Sequence, residues 1–323
     1  MRYENILVIG GAGFVGRHLV AALAARGVRV TVPTRQRERA KHLIMLPTVD
    51  VVAGNVGDPQ TLVRLVKGCD AVVNLVGILH GRRGRLDERG PNDYGPDFAR
   101  AHVELPQAIL SACREQGVKR VVHMSALGAS AGAPSEYLRS KGIGEGVVLA
   151  AEDLVTTVLR PSVIFGPEDG FLNLFATLAR ISPVLAVVHP QAKFQPVYVG
   201  DVVRAILAAL EDREGAGRRH DLCGPRVYTM RELTEYVCKV TGRRRLLVEM
   251  PDWMARLEAR LWELTPMPLL TRDNLASLTV PNTSDEPMPY GIAPVALEAV
   301  APAWLAPAGP RERYPDLRYK ARR

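Results

Sequence analysis

The stretch Asn5-Ile6-Leu7-Val8-Ile9-Gly10-Gly11-Ala12-Gly13-Phe14-Val15-Gly16 decides the fold. A run of strand character passes straight into a glycine-rich turn, and the turn opens a helical pattern carried on by Leu19, Val20 and Leu23. Gly10 permits a tight turn, Gly13 lets a pyrophosphate approach backbone that lacks a side chain, and Gly16 lets the new helix pack closely on the strand. The helix start then offers unpaired N–H groups and a partial positive charge to an anion. A dinucleotide-phosphate site is expected at Gly10, Gly13 and Gly16, with Phe14 and Val15 of the same turn beside it.

Outward from this turn, apolar β-branched runs alternate with helix-length segments. Residues 5–10, 28–34, 49–53, 71–76, 120–125 and 155–159 read as buried strands. Strand and helix in alternation imply a parallel sheet covered on both faces, with right-handed crossovers. The expected fold is α/β, a Rossmann-type doubly wound parallel sheet over residues 1–166. Residues 167–323 are expected to form a smaller, irregular substrate lobe, interleaved with the sheet edge and set over the carboxyl ends of the strands. Within it, 195–199 and 245–249 read as strands, and 201–210 and 229–240 as helices. In 252–264 the residues Trp253, Leu257, Leu261 and Leu264 recur at helical spacing, with Arg256, Glu258, Arg260 and Glu263 elsewhere around the helix. Such stripes most often face a core; docking to a membrane or a partner is the alternative. The proline-rich residues 281–310 read as an extended, loosely ordered strap.

The end of the second strand bears on the choice of cofactor. An NAD site would hold Asp or Glu there to bind the ribose 2′-hydroxyl. This chain reads Val32-Pro33-Thr34-Arg35-Gln36-Arg37 instead. Losing the carboxylate and gaining guanidinium groups suits a 2′-phosphate, so NADP(H) is favoured over NAD(H), with Arg35 as the contact. Asn55 and Val56 fall where the adenine would lie, and Leu75, Val76 and Gly77 where the chain passes the adenosine ribose. Pro161 and Val163, past the sixth strand, complete the cofactor-binding set.

Composition narrows the remaining classes. A chain of 323 residues with 47% hydrophobic and 24% charged side chains can bury a core. It contains no apolar run of the roughly 20 residues that cross a bilayer. The chain is therefore expected to be soluble, unprocessed and cytoplasmic. Cys69, Cys113, Cys223 and Cys238 are far apart and form no CxxC pair, so they read as reduced core thiols, and no metal site is expected. The net charge of +8 is local. One cluster is Arg35, Arg37, Arg39 and Lys41; a second is the loop Arg82, Arg83, Arg85 and Arg89. The third is the tail, where residues 311–323 carry six basic and two acidic side chains. No recognition motif accompanies them, so nucleic acid is not an expected partner. The loop and tail are either solvated surface or a contact with anionic lipid, at the inner face of the membrane, or with an acidic partner protein.

The chemistry-bearing set follows the fifth strand. Ser125 ends that strand, and Tyr137 and Lys141 share one helical face at four-residue spacing. In a hydride-transfer site a tyrosine can act as general acid/base if a neighbouring ammonium lowers its pKa, while a serine orients the reacting carbonyl. The same lysine can hold the nicotinamide ribose. Ser125, Tyr137 and Lys141 are therefore the candidate catalytic residues.

The glycine turn, the Ser125-Tyr137-Lys141 set and Arg160-Pro161-Ser162-Val163-Ile164-Phe165-Gly166-Pro167 resemble the extended and atypical short-chain dehydrogenases/reductases. The run Tyr137-Leu138-Arg139-Ser140-Lys141-Gly142-Ile143-Gly144-Glu145 and the later Leu270-Thr271-Arg272-Asp273-Asn274-Leu275 resemble the atypical branch that holds the NADPH-binding accessory subunit of mitochondrial complex I and its bacterial relatives. The resemblance implies bound NADPH, and it leaves two functions open. One is an oxidoreductase working on or near respiratory or quinone chemistry; the other is a non-catalytic interaction subunit whose NADPH is structural. Asn55 stands where the family often has aspartate. The interval from Ser125 to Tyr137 is shorter than in sugar-nucleotide epimerases, and Ser125 is followed by Ala126-Leu127-Gly128 without the acidic residue a dehydratase would favour. Both departures weigh against a sugar-nucleotide epimerase or dehydratase.

Overall fold

The side chains of β1 (Asn5–Ile9) alternate between two buried layers: Ile6 and Val8 enter one core, Leu7 and Ile9 the other. A strand buried on both faces must be apolar throughout, which is why its sequence shows no polar alternation. The structure, a computed structural model, describes residues 3–82, 93–212, 217–265 and 268–306. After β1 come α1 (Phe14–Ala24), β2 (Arg29–Thr34), β3 (Val49–Ala53), α2 (Pro59–Val66) and β4 (Ala71–Asn74). α3 (Pro96–Phe98) runs through wide, π-type turns over Ala99–Glu104 into α4 (Leu105–Gln116), followed by β5 (Arg120–Met124), α5 (Glu136–Leu149) and β6 (Val155–Pro161).

The later chain adds β7 (Ile164–Phe165), α6 (Leu172–Ile181), β8 (Val184–Val188), β9 (Lys193–Phe194), β10 (Val197–Tyr198), α7 (Val199–Glu211) and β11 (Arg218–Leu222). It closes with β12 (Tyr228–Thr229), α8 (Met230–Val240), β13 (Leu246–Met250), α9 (Asp252–Trp262), α10 (Arg272–Ser277), α11 (Leu297–Val300) and α12 (Pro302–Leu305). Among the described residues, seven parallel strands make the main sheet in the order β3-β2-β1-β4-β5-β6-β11. The fold is the doubly wound α/β sheet expected from the sequence. α1 and α7 pack on one face; α2, α4 and α5 cover the other. α7 and β11, from beyond residue 166, thus join the sheet and its covering layer. Successive strands step one way from β1 and the other way from β4, so a crevice opens between their carboxyl ends.

Two local devices set how α5 lies against this sheet. Pro106 has no N–H to return to the carbonyl four residues back, which is that of His102, and its ring crowds that carbonyl. The helix widens into π-type turns there, and the freed His102 carbonyl faces Gly144 of α5 so closely that a Cβ at 144 would collide with it. The start of α5 is capped by Ser135, whose Oγ accepts from the Leu138 N–H at 3.2 Å.

Several expectations are corrected. Of the expected strand at 195–199 only β10 forms, with β9 ending before it and α7 starting at Val199, because Pro196 offers no ladder donor. The 281–310 strap is better ordered than expected as far as it is described. Asn282 accepts from the Ser162 hydroxyl at 2.6 Å and the Val163 N–H at 3.0 Å, and Leu297, Ala301 and Leu305 are buried against α6 and α8. The Trp253 stripe does not face a core; Ala255 and Ala259 do. Cys113, Cys223 and Cys238 are buried, Cys69 is half-buried, and none is bridged to another. Arg82 pairs with Asp97. Arg83, Arg85, Arg89 and the basic tail 311–323 lie outside the described residues.

Two glycines of one helix test the packing. Gly144→Ala is expected to destabilise the protein by about 2 kcal/mol or more, because backbone must move to admit the methyl group. Gly146→Ala, with nothing within 4 Å of its Cβ position, is expected to stabilise by about 0.5–1 kcal/mol through helix propensity. Urea unfolding of the pair measures both; equal effects of one sign would contradict this account.

Candidate functional site

The β1–α1 turn is built so that only glycine serves at its two ends. Gly10 has φ of +87° and lies against the Leu75 backbone, 3.1 Å from where its Cβ would be. At Gly16 a Cβ would strike the Gly10 carbonyl oxygen. Gly13 caps α1 in extended conformation, with φ of −79°, and the first turn of α1 carries no acidic residue. A Cβ at 13 would meet only the Gly10 oxygen, at 3.2 Å, so the space in front of the helix start is open to a ligand. Unpaired N–H groups and open space at a helix N-terminus fit a pyrophosphate.

The other strand ends continue this rim. Thr34 and Gly54 join the ends of β2 and β3 through a 3.1 Å backbone bond, which sets Arg35 beside the chain entering Asn55 and Val56. Arg35 is exposed and has no ion-pair partner among the described residues, and no carboxylate ends β2. Asn55 accepts from the Gly57 N–H at 3.1 Å and so holds the turn after β3. Phe14 packs against Gly166, beyond Pro161 and Val163 at the end of β6.

Lys141 ties the candidate catalytic residues to the sheet. It is buried, and its ammonium donates to the Val76 carbonyl at 3.1 Å and the Met124 carbonyl at 3.0 Å, bridging the ends of β4 and β5. Gly77 makes room, since a Cβ there would lie 3.2 Å from Lys141 Nζ. Burial lowers the Lys141 pKa to about 8. Ser125, next after Met124, is buried with its Oγ lacking a hydrogen-bond partner among the described residues. Buried hydroxyls are as a rule hydrogen-bonded, and an atom of a ligand in the crevice would satisfy this one.

Tyr137 departs from expectation. Its pKa is pushed up to about 12, by burial first and by the Asp273 carboxylate second; the lysine ammonium does not bring it down. Asp273, from α10, accepts from the Glu136 and Tyr137 N–H groups at 2.6 and 3.1 Å, so it caps α5 from another part of the chain. The tyrosine ring stands edge-on to Phe98 and His102.

Residues the sequence did not single out complete the support. His102 Nε2 accepts from the Ile78 N–H at 3.1 Å, which leaves Nδ1 to donate to Ser140 Oγ at 2.8 Å, and Ser140 in turn donates to the Tyr137 carbonyl. Burial, with Lys141 nearby, lowers the His102 pKa to about 2 and keeps the ring neutral, as this chain of bonds requires. Asn74 donates to His123 Nδ1 at 3.1 Å and accepts from the Val76 N–H, fixing the turn after β4. Asp273 lay in a segment notable only for its resemblance; His102, Asn74 and His123 carried no local motif.

The rim so formed has counterparts among known proteins. Residues 6–223 match the model of the NAD dependent epimerase/dehydratase family. The chain is 30% identical over 302 residues to NADH dehydrogenase (ubiquinone) 1 alpha subcomplex subunit 9 of mouse mitochondria, covering 90% of this chain and 77% of that one. It is 33% identical over 253 residues to a ceramide reductase of Caulobacter vibrioides, covering 76% and 74%. A dTDP-glucose 4,6-dehydratase of Streptomyces venezuelae, solved with NAD bound, superposes with a TM-score of 0.64 at 25% identity, over 78% of this chain and 85% of that one. The glycine turn, the switch point between β1 and β4 and the match over most of the sheet agree, and the chain belongs to the NAD dependent epimerase/dehydratase family.

Proposed function

We propose that this protein is an NADP(H)-dependent reductase of the short-chain dehydrogenase/reductase type, acting on a carbonyl or quinone substrate. The observation that carries the reading is the buried Ser125 hydroxyl, without a partner and next to the carbonyl that receives Lys141. The cofactor would lie with its pyrophosphate on Gly10, Gly13, Phe14, Val15 and Gly16 and its 2′-phosphate on Arg35. Asn55 and Val56 would flank the adenine, Leu75, Val76 and Gly77 the adenosine ribose, and Lys141, Pro161 and Val163 the nicotinamide end. When bound in reduced form, NADP supplies the hydride.

The residues supply the rest. Ser125 donates to the substrate oxygen and holds the carbonyl in place. Tyr137, held neutral by burial and by Asp273, gives its proton to that oxygen as negative charge develops there. A phenol with a raised pKa is the wrong species to remove a proton at neutral pH, so reduction is the direction favoured. Lys141 holds the ribose and keeps positive charge beside the reacting atoms.

A second reading has its own observation. A tyrosine whose pKa is pushed up to about 12 is poorly suited to reversible proton transfer, and the mouse relative is named as a subunit of NADH dehydrogenase. In that reading NADPH is structural and the protein serves as an interaction subunit of a respiratory assembly.

Three outcomes test these proposals. The protein is expected to bind NADPH more tightly than NADH, and Arg35→Ala to shrink the preference by about tenfold or more, a charge-assisted bidentate contact being worth roughly 1.5–3 kcal/mol. Calorimetry that finds NADH bound equally well by the parent protein ends the specificity argument. Tyr137→Phe is expected to lower kcat for NADPH oxidation, against a panel of quinones and small carbonyl compounds, by about 100-fold with little change in NADPH affinity, whereas Lys141→Ala harms both. A large thermal stabilisation by NADPH without substrate-dependent oxidation would favour the structural reading, since ligand at about 1,000 times its Kd contributes about 4 kcal/mol. Lastly, because Lys141 loses its charge as pH rises through about 8, kcat/KM is expected to fall above that pH while Tyr137 is still protonated. A profile flat well past that value would remove the ammonium from the mechanism.

A further inference from the structure

α9 turns its smallest apolar side chains inward. Ala255 and Ala259 are fully buried, packed with Leu275, Leu270 and Leu278 around α10 and with Met250 and Val188. Trp253, Met254, Leu257 and Leu261, with Leu264 one turn further on, are between 41% and 83% exposed. At 3.6 residues per turn Trp253, Met254, Leu257 and Leu261 share about 100° of the helix circumference, opposite the two alanines. A helix that only served the core would sit the other way round. A contiguous exposed apolar stripe of this size marks an interaction surface.

The charges beside the stripe indicate the occupant. Arg256 and Arg260, one turn apart, line its edge, and neither has an ion-pair partner among the described residues. The carboxylates of the same segment are engaged: Asp252 with His189 at 3.9 Å, Glu258 with the Trp262 Nε1–H at 3.2 Å, and Glu263 with Arg272 at 2.7 Å. Of these only Glu263 meets a permanently cationic partner, and Glu258, on the opposite edge of the stripe, keeps its charge, so the positive charge is confined to the edge that Arg256 and Arg260 line. Arg256 and Arg260 also stand in the wall of a cavity of about 710 Å³ that opens beside the helix. Leucine and tryptophan on one face, with arginines whose stems lie along the apolar edge and whose heads stay polar, is the composition of a helix lying in a bilayer interface.

We propose that α9 is a docking helix for an anionic phospholipid bilayer: its Trp253–Leu257–Leu261 stripe enters the headgroup boundary and Arg256 and Arg260 take lipid phosphates. This surface differs from the basic loop and tail and does not depend on the cofactor reading.

The test is co-sedimentation of the full chain with vesicles of phosphatidylcholine alone or mixed with phosphatidylglycerol. Binding to the mixed vesicles is expected, weaker with phosphatidylcholine alone and weakened by salt. Leu257→Asp combined with Leu261→Asp is expected to reduce it at least tenfold, and Arg256→Gln with Arg260→Gln by about fivefold for each charge removed. All four side chains are exposed, so thermal unfolding of both variants should match the parent. Failure of the parent to bind mixed vesicles would overturn the proposal. So would binding unchanged in the leucine variant but lost on deleting residues 311–323, which would move docking to the tail. A dimer that the leucine variant dissociates, in a protein that binds no vesicles, would assign the stripe to a second copy of the chain and also overturn it. Competition by inorganic phosphate that strips the protein from vesicles at matched ionic strength would show an ion site in place of a membrane surface.

Discussion

The site depends on one buried cation. Burying a lysine is costly unless its N–H groups are received, and here the carbonyls of Val76 and Met124 receive two of them. Those carbonyls end neighbouring strands, so the ammonium links β4 and β5 to α5 where the strands give out. Much of the surrounding sequence serves this contact. Gly77 leaves space for the ammonium, Gly144 lets α5 close on the π-type turns, and the bond from Asn74 to the Val76 N–H presents the Val76 carbonyl. The lowered pKa of Lys141 reflects the same burial.

The tyrosine one turn earlier lives in a different field. Asp273 reaches it from α10, far along the chain, and completes the start of α5 by taking two N–H groups. A carboxylate at a helix N-terminus is stabilised by the helix dipole. The same charge makes it harder for the nearby phenol to ionise, so capping and tuning are one interaction. Through it the small C-terminal elements bear on the chemistry of the sheet edge.

α9 joins α10 in that lobe by the smallest side chains it has. Alanine permits close approach of helix to helix while contributing little apolar area, so the stability of this contact comes mainly from the leucines of α10 and its neighbours. What remains outside is an exposed apolar stripe edged on one side by Arg256 and Arg260, which have no ion-pair partner among the described residues. The stripe lies next to a cavity whose wall includes Glu136 and Arg139, neighbours of Tyr137.

Amino-acid order alone was enough for six of the seven strands of the main sheet, and not for β11, whose Arg218-Arg219-His220-Asp221-Leu222 holds no apolar run. Strands buried on both faces must be continuously apolar, and the β1–α1 turn needs glycine where backbone meets backbone, so the first six strands and Gly10 and Gly16 could be read locally. The four-residue spacing likewise put Tyr137 and Lys141 on one face. Tertiary structure decided the rest. A raised tyrosine pKa, a histidine locked neutral between Ile78 and Ser140, and a cap supplied by Asp273 arise from residues distant in sequence, and no local pattern encodes them. The Trp253 stripe looked like a core face because hydrophobic periodicity reports that a helix has an apolar side, not where that side points. Its direction was settled by Ala255 and Ala259, whose small side chains let α9 pack closely and left the larger ones outside.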